Sequence, residues 1–241
     1  MGRLEDKYFF NSLNLKNELK PYEFHIHTNY TDGTSSIEDL ILESINRNLE
    51  LIIFSEHIEP WFVKSKDWFI NYVDEINFFK KKYQGQINIK IGVEAPAVDF
   101  DGNIDISSEM DEHCEYILGA AHRYPGIEGR KISDLSSEEA IDLEYRTLLG
   151  LAGNKRIDAL AHLGGTCYKY CSGFPNSLVI EIMKKASVNS IAVEVNHVYN
   201  QPIDTFIDLC LETSSRIVLG SNVHNKESLG AVYFNLKKNG Y

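Results

Sequence analysis

The run YEFHIH, residues 22–27, sets His25 and His27 two positions apart in an apolar, extended-type segment, and Asp32 follows in the turn TNYTDG. Side chains two apart on a strand leave the same face, so both imidazoles can reach one ion. The plainer alternative is a pair of polar residues on a solvent-facing strand. The other histidines bear on the choice. His57 closes LELIIFSEH, His122 closes EYILGAAH, His162 follows IDALA, His197 follows EVN and His224 closes RIVLGSNVH, while Glu94 stands near the end of INIKIGVEA. Of the eight histidines, only His113 lies away from the C-terminal end of an expected strand. Without a metal, so many converging rings would bury mutually repelling, pH-sensitive groups. Neutral imidazole is a common transition-metal ligand and glutamate can bridge two ions, so the pattern predicts a metal centre.

The elements that must position these residues are legible in the periodicity. The seven β-rich runs are separated by amphipathic, helix-length ones. A helix is expected over 35–48, with Ser35 and Glu38 spaced as a capping box, and another over 67–83, with Phe69, Tyr72, Val73 and Ile76 inward. Ser136 and Glu139 form a second capping box, Asn176 caps a helix, Pro202 lies in the first turn of another, and a short helix closes the chain. The first twenty residues are ambiguous, readable as a helical extension over one end. Strand and helix alternate seven times, which implies parallel strands with helical crossovers, as an open doubly wound sheet or a barrel. The Gly-rich turn of a dinucleotide-binding sheet is missing after the first strand. In a closed barrel the C-terminal strand ends converge on one mouth, where active sites sit.

Composition bounds the function. The chain has 241 residues, 43% hydrophobic, which suits one domain over 1–241. With 24 basic and 35 acidic residues its net charge is −11, so it has no general pull on phosphate backbones and nucleic acid is not the expected partner. No apolar run approaches the ~20 residues of a membrane span, and the start, MGRLEDKYFF, lacks the apolar core of a secretion signal. A soluble, cytoplasmic protein is expected. Cys114, Cys167, Cys171 and Cys210 are too few and too unevenly spaced for a disulfide framework, and Cys167 and Cys171 are four apart rather than the three of a zinc knuckle.

The ordered marks HIHTNYTDG, SEH, the isolated Glu94 after IGV, GAAH, LAH, EVN and GSNVH resemble the PHP family, named for polymerase and histidinol phosphatase, from about Phe24 to about Asn225. The resemblance implies a distorted (β/α)7 barrel of parallel strands with helical crossovers and a trinuclear metal centre at its mouth. By motif, one ion takes His25, His27, Glu94 and Asn222; a second takes Glu94, His122 and His162; the third takes Asp32, His57 and His224. Two or three divalent ions, zinc, manganese or iron, are the expected cofactors. One position departs, since the family has aspartate where this chain has Asn222. An amide oxygen can coordinate but carries no charge, so the first ion is expected to be held less tightly or to be a different metal.

Such a centre suits hydrolysis of phosphate esters: a metal-activated water attacks phosphorus in line while the ions neutralise the non-bridging oxygens. The first reading is a small-molecule phosphomonoesterase of the histidinol-phosphatase kind, acting on a small phosphorylated substrate. The alternatives are a nuclease or nucleotide phosphodiesterase, which would want a basic track to the mouth, and a metal-binding relative with lost or altered chemistry because of Asn222. Arg123, directly after His122, and Lys169 are the expected phosphate contacts, with Arg130 and Lys226 as alternatives. His197 is a candidate proton donor to the leaving group. Glu56 is expected to orient His57, and Asn196 to support the mouth. Trp61, Phe62, Trp68, Tyr168 and Tyr170 fall in loops that either shape a substrate pocket or pack a lid.

Overall fold

Apolar strands buried on both faces need helices outside them and a core within, and the chain meets both demands with one curled sheet. The computed structural model describes residues 2–127, 130–171 and 173–241. Its strands are β1 (Phe10–Asn11), β2 (Tyr22–Ile26), β3 (Leu51–His57), β4 (Asn88–Pro96), β5 (Tyr116–Ala120), β6 (Ala159–Leu160), β7 (Ala192–Asn196) and β8 (Arg216–Gly220). The sheet order is β1-β8-β7-β6-β5-β4-β3-β2, and every pair from β2 through β8 is parallel. The helices are α1 (Leu15–Glu18), α2 (Ile37–Asn46), α3 (Trp68–Lys82), α4 (Ser108–His113), α5 (Ser137–Leu151), α6 (Gly165–Tyr170), α7 (Asn176–Val188), α8 (Ile203–Glu212) and α9 (Ala231–Lys238).

The sheet closes where its two ends meet. His27 N donates to Val223 O at 2.8 Å and Val223 N donates to His25 O at 2.9 Å, which lays the chain after β8 beside β2 as a parallel bridge. Residues 222–224 are thereby brought against His25 and His27. Lower down, the seam is edged by β1, which runs antiparallel to β8 with Phe10 opposite Ile217. This strand was not expected: the N-terminal residues form short helical turns, α1 among them, and a sheet edge rather than one continuous helical extension. The reason is local, since Phe10 is buried against Tyr22 and an aromatic side chain packs well on a pleated sheet.

The helix signals hold with small shifts. α5 carries the Ser136–Glu139 capping box, with Glu139 N donating to Ser136 Oγ at 3.2 Å and Ser136 N donating to Glu139 Oε2 at 2.9 Å. α2 is capped by Ser36 rather than Ser35, because Asp39 lies three residues on and its N–H donates to Ser36 Oγ at 3.1 Å. At α7 Pro175 takes the capping position and Asn176 becomes the first helical residue. Ile37, Leu40 and Ile41 of α2, and Phe69, Tyr72, Val73 and Ile76 of α3, are buried as their spacing predicts.

Candidate metal centre

Each ligand-type side chain stands at or just past a strand end. His25 lies in β2 and His27 one residue beyond it; His57 ends β3; Glu94 is in β4; His122 and His162 follow β5 and β6; Asn222 and His224 follow β8. The backbone bends sharply to aim two of them, since His162 (φ 25°) and Asn222 (φ 49°) sit in left-handed conformations that non-glycine residues adopt at a cost. The turn carrying Asp32 is equally constrained. Thr31 N and Gly33 N both donate to Thr28 O, and a Cβ on Gly33 would lie 2.5 Å from His27 O, so only glycine fits. Glu56 pins that turn: it accepts from Thr28 N at 2.8 Å and from the Thr28 and Thr31 hydroxyls. It therefore anchors the Asp32 turn rather than orienting His57. Burial pushes its carboxyl up to about 7.

Glu94 is the hub. Its Oε1 lies 2.9 Å from His162 Nε2 and 3.2 Å from His122 Nε2; its Oε2 lies 3.2 Å from His57 Nδ1, 3.4 Å from His25 Nε2 and 3.6 Å from His27 Nε2. His25 Nε2 and His27 Nε2 are 2.9 Å apart. On the outer side, Asp32 Oδ2 is 3.1 Å from His224 Nε2 and 3.6 Å from His57 Nε2. Among the described residues, three groups hold donor atoms close enough to share an ion: His25, His27 and Glu94; His57, Glu94 and His122; and His27, Asp32, His57 and His224. His57 thus links two groups that the motifs assign separately, and His162 joins through Glu94.

The electrostatics follow from burial and crowding. Burial pulls His25 down, but the Glu194 and Glu94 carboxylates override it and hold the ring well above its usual range. Burial and the neighbouring His57 and His25 rings drive His27 well below it. Burial raises Glu94, yet the His122 and His25 rings outweigh that and hold it well below the usual carboxylate range. Among the described residues, Glu94 Oε2, Asn222 Oδ1 and His57 Nδ1 are buried without a hydrogen-bond partner. Buried acceptors left unpaired beside clustered imidazoles suit a divalent ion, which satisfies them together.

Two acids outside the expected ligand set, Glu194 of the EVN mark and Glu59, orient the rings. Glu194 Oε1 lies 2.6 Å from His25 Nδ1, and its Oε2 accepts from His162 N at 2.6 Å. An Nδ1–H donated to Glu194 leaves the Nε2 lone pair of His25 facing the cluster. Gly220 makes room for it, since a Cβ there would sit 1.8 Å from Glu194 Oε1. Glu59 Oε1 lies 3.0 Å from His122 Nδ1 and plays the same part for that ring. Its one sequence signal is its place two residues past His57, on the same side of an extended chain.

A cavity of about 390 Å³ opens over the cluster, with His57, Glu94, His122, His162, Asn222 and His224 in its floor and walls. Phe62 stacks on His57 with ring centroids 4.1 Å apart, and Tyr199 packs edge-on against His162. Lys169, exposed on α6, lines this cavity with Tyr170. Arg123 does not line it; its guanidinium lies over the Trp61 ring at 4.3 Å and faces a neighbouring cavity. His197 is half-buried, outside the cavity lining, with Nδ1 unpaired. Asn196 Oδ1 accepts from Val198 N at 2.9 Å and so shapes the turn after β7. Arg130 pairs loosely with Glu139 on the surface at 3.4 Å.

An α/β barrel with histidines and acids gathered at its C-terminal mouth defines a class of metal-centred barrel proteins. Residues 23–198 match the PHP domain, and the chain belongs to the PHP family. That match ends before Asn222 and His224, which join the site through the bridge to β2. A protein named "Probable phosphatase" from Caldicellulosiruptor bescii is 24% identical over 210 residues, covering 86% of this chain and 81% of its own length. A second so named, from Aliivibrio fischeri, is 23% identical over 175 residues, covering 72% of this chain and 62% of its own. Among solved structures, histidinol phosphate phosphatase from Lactococcus lactis, complexed with zinc, L-histidinol and phosphate, shares the fold with a TM-score of 0.72 at 21% identity, over 91% of this chain and 94% of that one. No helix among the described residues is long and apolar enough to cross a membrane.

Proposed function

We propose that the protein is a metal-dependent phosphomonoesterase acting on a small phosphorylated molecule. The observation that carries this reading is the Glu94-centred cluster of five histidines beneath a cavity of about 390 Å³, a volume suited to a small ester rather than a polymer. Membership of the PHP family and the phosphatase names of its relatives support it. The residues that would hold the ions are His25, His27, Asp32, His57, Glu94, His122, His162, Asn222 and His224. Bound divalent ions, zinc among the candidates, would supply Lewis acidity toward the phosphate oxygens and lower the pKa of the attacking water.

The chain's own residues do the rest. Glu194 and Glu59 fix the His25 and His122 rings so that each Nε2 faces Glu94. Lys169 Nζ, from the cavity rim, neutralises a phosphate oxygen and draws the dianion in. Phe62, packed on His57, shields the floor from bulk water. Hydrolysis joins a water oxygen to phosphorus and breaks the ester P–O bond, and the departing alkoxide takes up a proton.

Turnover of p-nitrophenyl phosphate, histidinol phosphate and bis-p-nitrophenyl phosphate by metal-replete protein tests the reading. Monoester hydrolysis that disappears on chelation is expected. Preference for the bis-ester or for single-stranded DNA would overturn it in favour of a phosphodiesterase.

A further inference from the structure

A second cavity of about 740 Å³ lies beside the metal centre, walled in part by Trp61, Val98, His122, Arg123, Pro125 and Ile127. Trp61 and His122 also wall the first cavity, so the two cavities adjoin at these side chains. The walls are apolar apart from His122, Arg123 and Arg130; Arg130 pairs with Glu139 on the surface, and Arg123 is left with its bonding unfinished. Among the described residues Arg123 Nε and Nη2 are buried without a hydrogen-bond partner, while Nη1, at the accessible end of a side chain one-third exposed, stands 3.9 Å from the exposed Asp105 carboxylate, beyond hydrogen-bond reach. The Arg123 guanidinium carbon lies over the Trp61 ring at 4.3 Å. A guanidinium whose accessible Nη1 lacks a partner at hydrogen-bond distance can donate to a ligand carboxylate, an interaction strengthened by its apolar surroundings.

We propose that this second cavity is a leaving-group subsite that selects phosphate monoesters whose alcohol or phenol carries a carboxylate. The proposal rests on the phosphomonoesterase reading above and names its substrate class. The metal cluster takes the phosphate; the apolar walls take the carbon body; Arg123 takes the acid at its far end. A leaving group bearing an ammonium, such as histidinol, meets like charge at Arg123 and is the poorer substrate.

The test compares two esters with one aryl leaving group, 3-(4-phosphonooxyphenyl)propanoate and its primary amide, on the full-length, metal-replete protein. The acid is expected to have the higher kcat/KM by about tenfold or more, the range of a desolvated hydrogen bond to a charged group. That ratio should fall to near one in Arg123→Gln and be partly kept in Arg123→Lys. Because both esters are read in the same preparation, incomplete folding of a variant cancels from the ratio. Equal turnover of the two esters by the unaltered protein, or an unchanged ratio in Arg123→Gln, overturns the subsite while leaving the phosphatase reading standing. Turnover of neither ester overturns the phosphatase reading, and the subsite with it.

Discussion

Gly220→Ala adds one carbon at the most crowded point beside the metal centre. Gly220 does not have a positive φ, so alanine is no strain on the backbone, and the effect is steric alone. The new Cβ would lie 1.8 Å from Glu194 Oε1, 2.6 Å from its Cδ and 2.8 Å from its Cγ. To reach ordinary carbon–oxygen contact the carboxylate must retreat by about 1.5 Å. Its two bonds, to His25 Nδ1 and from His162 N, are each 2.6 Å long, and a retreat of that size breaks at least one of them. A lost hydrogen bond to a buried charged group costs about 1.5–3 kcal/mol, so losing both costs roughly 3–6 kcal/mol. For a chain of this size that lowers Tm by roughly 10 °C. His25 also loses the partner that sets its tautomer, and metal affinity should fall about 10–100-fold. Thermal unfolding and chelator competition for zinc measure the two effects. The Glu194→Ala background supplies the control, because with no carboxylate to displace, Gly220→Ala should cost little more there. An unchanged Tm and zinc affinity in Gly220→Ala, or equal costs in both backgrounds, would show that Gly220 does not hold open the place of Glu194.

Four further outcomes are expected. Asn222→Asp places a charge where the Asn222 amide oxygen is buried and unpaired, and should tighten binding of one ion by at least about tenfold in a chelator titration; unchanged affinity would show the amide to be a competent ligand as it stands. Without ions His122 is pushed up to about 10, burial lowering it but the Glu94 and Glu59 carboxylates prevailing, so an ion must displace its proton, and apparent zinc affinity should rise by about tenfold per pH unit between pH 7 and 9. By linkage, the raised His122 stabilises the ion-free fold fully below about pH 6.5, and that share is lost as pH rises through about 10, which pH-dependent denaturation of chelated and zinc-loaded protein would follow. Lys169→Met should raise KM for a phosphate monoester about three- to tenfold with kcat little changed; a matching fall in kcat would place Lys169 in the transition state instead.

Much of the site is legible in the order of residues along the chain. Strand side chains alternate with a period of two, so His25 and His27 must share a face, and alternating strands and helices force parallel strands whose C-terminal ends point one way. Histidines and Glu94 at those ends were therefore bound to converge, and residue types alone named the chemistry. The remainder depends on loop paths and rotamers between residues far apart in the chain. Glu194 becomes the partner of His25 only because Gly220 leaves a gap beside β7, and Asn222 reaches the cluster only because Val223 bridges to β2. Arg123, adjacent to His122, was expected over the phosphate, but stacking on Trp61 turns it to the neighbouring cavity. His197 likewise follows a strand end, yet the turn held by Asn196 leaves it outside the cavity. Periodicity sets which residues arrive at the mouth; packing across the barrel sets which way each one faces once there.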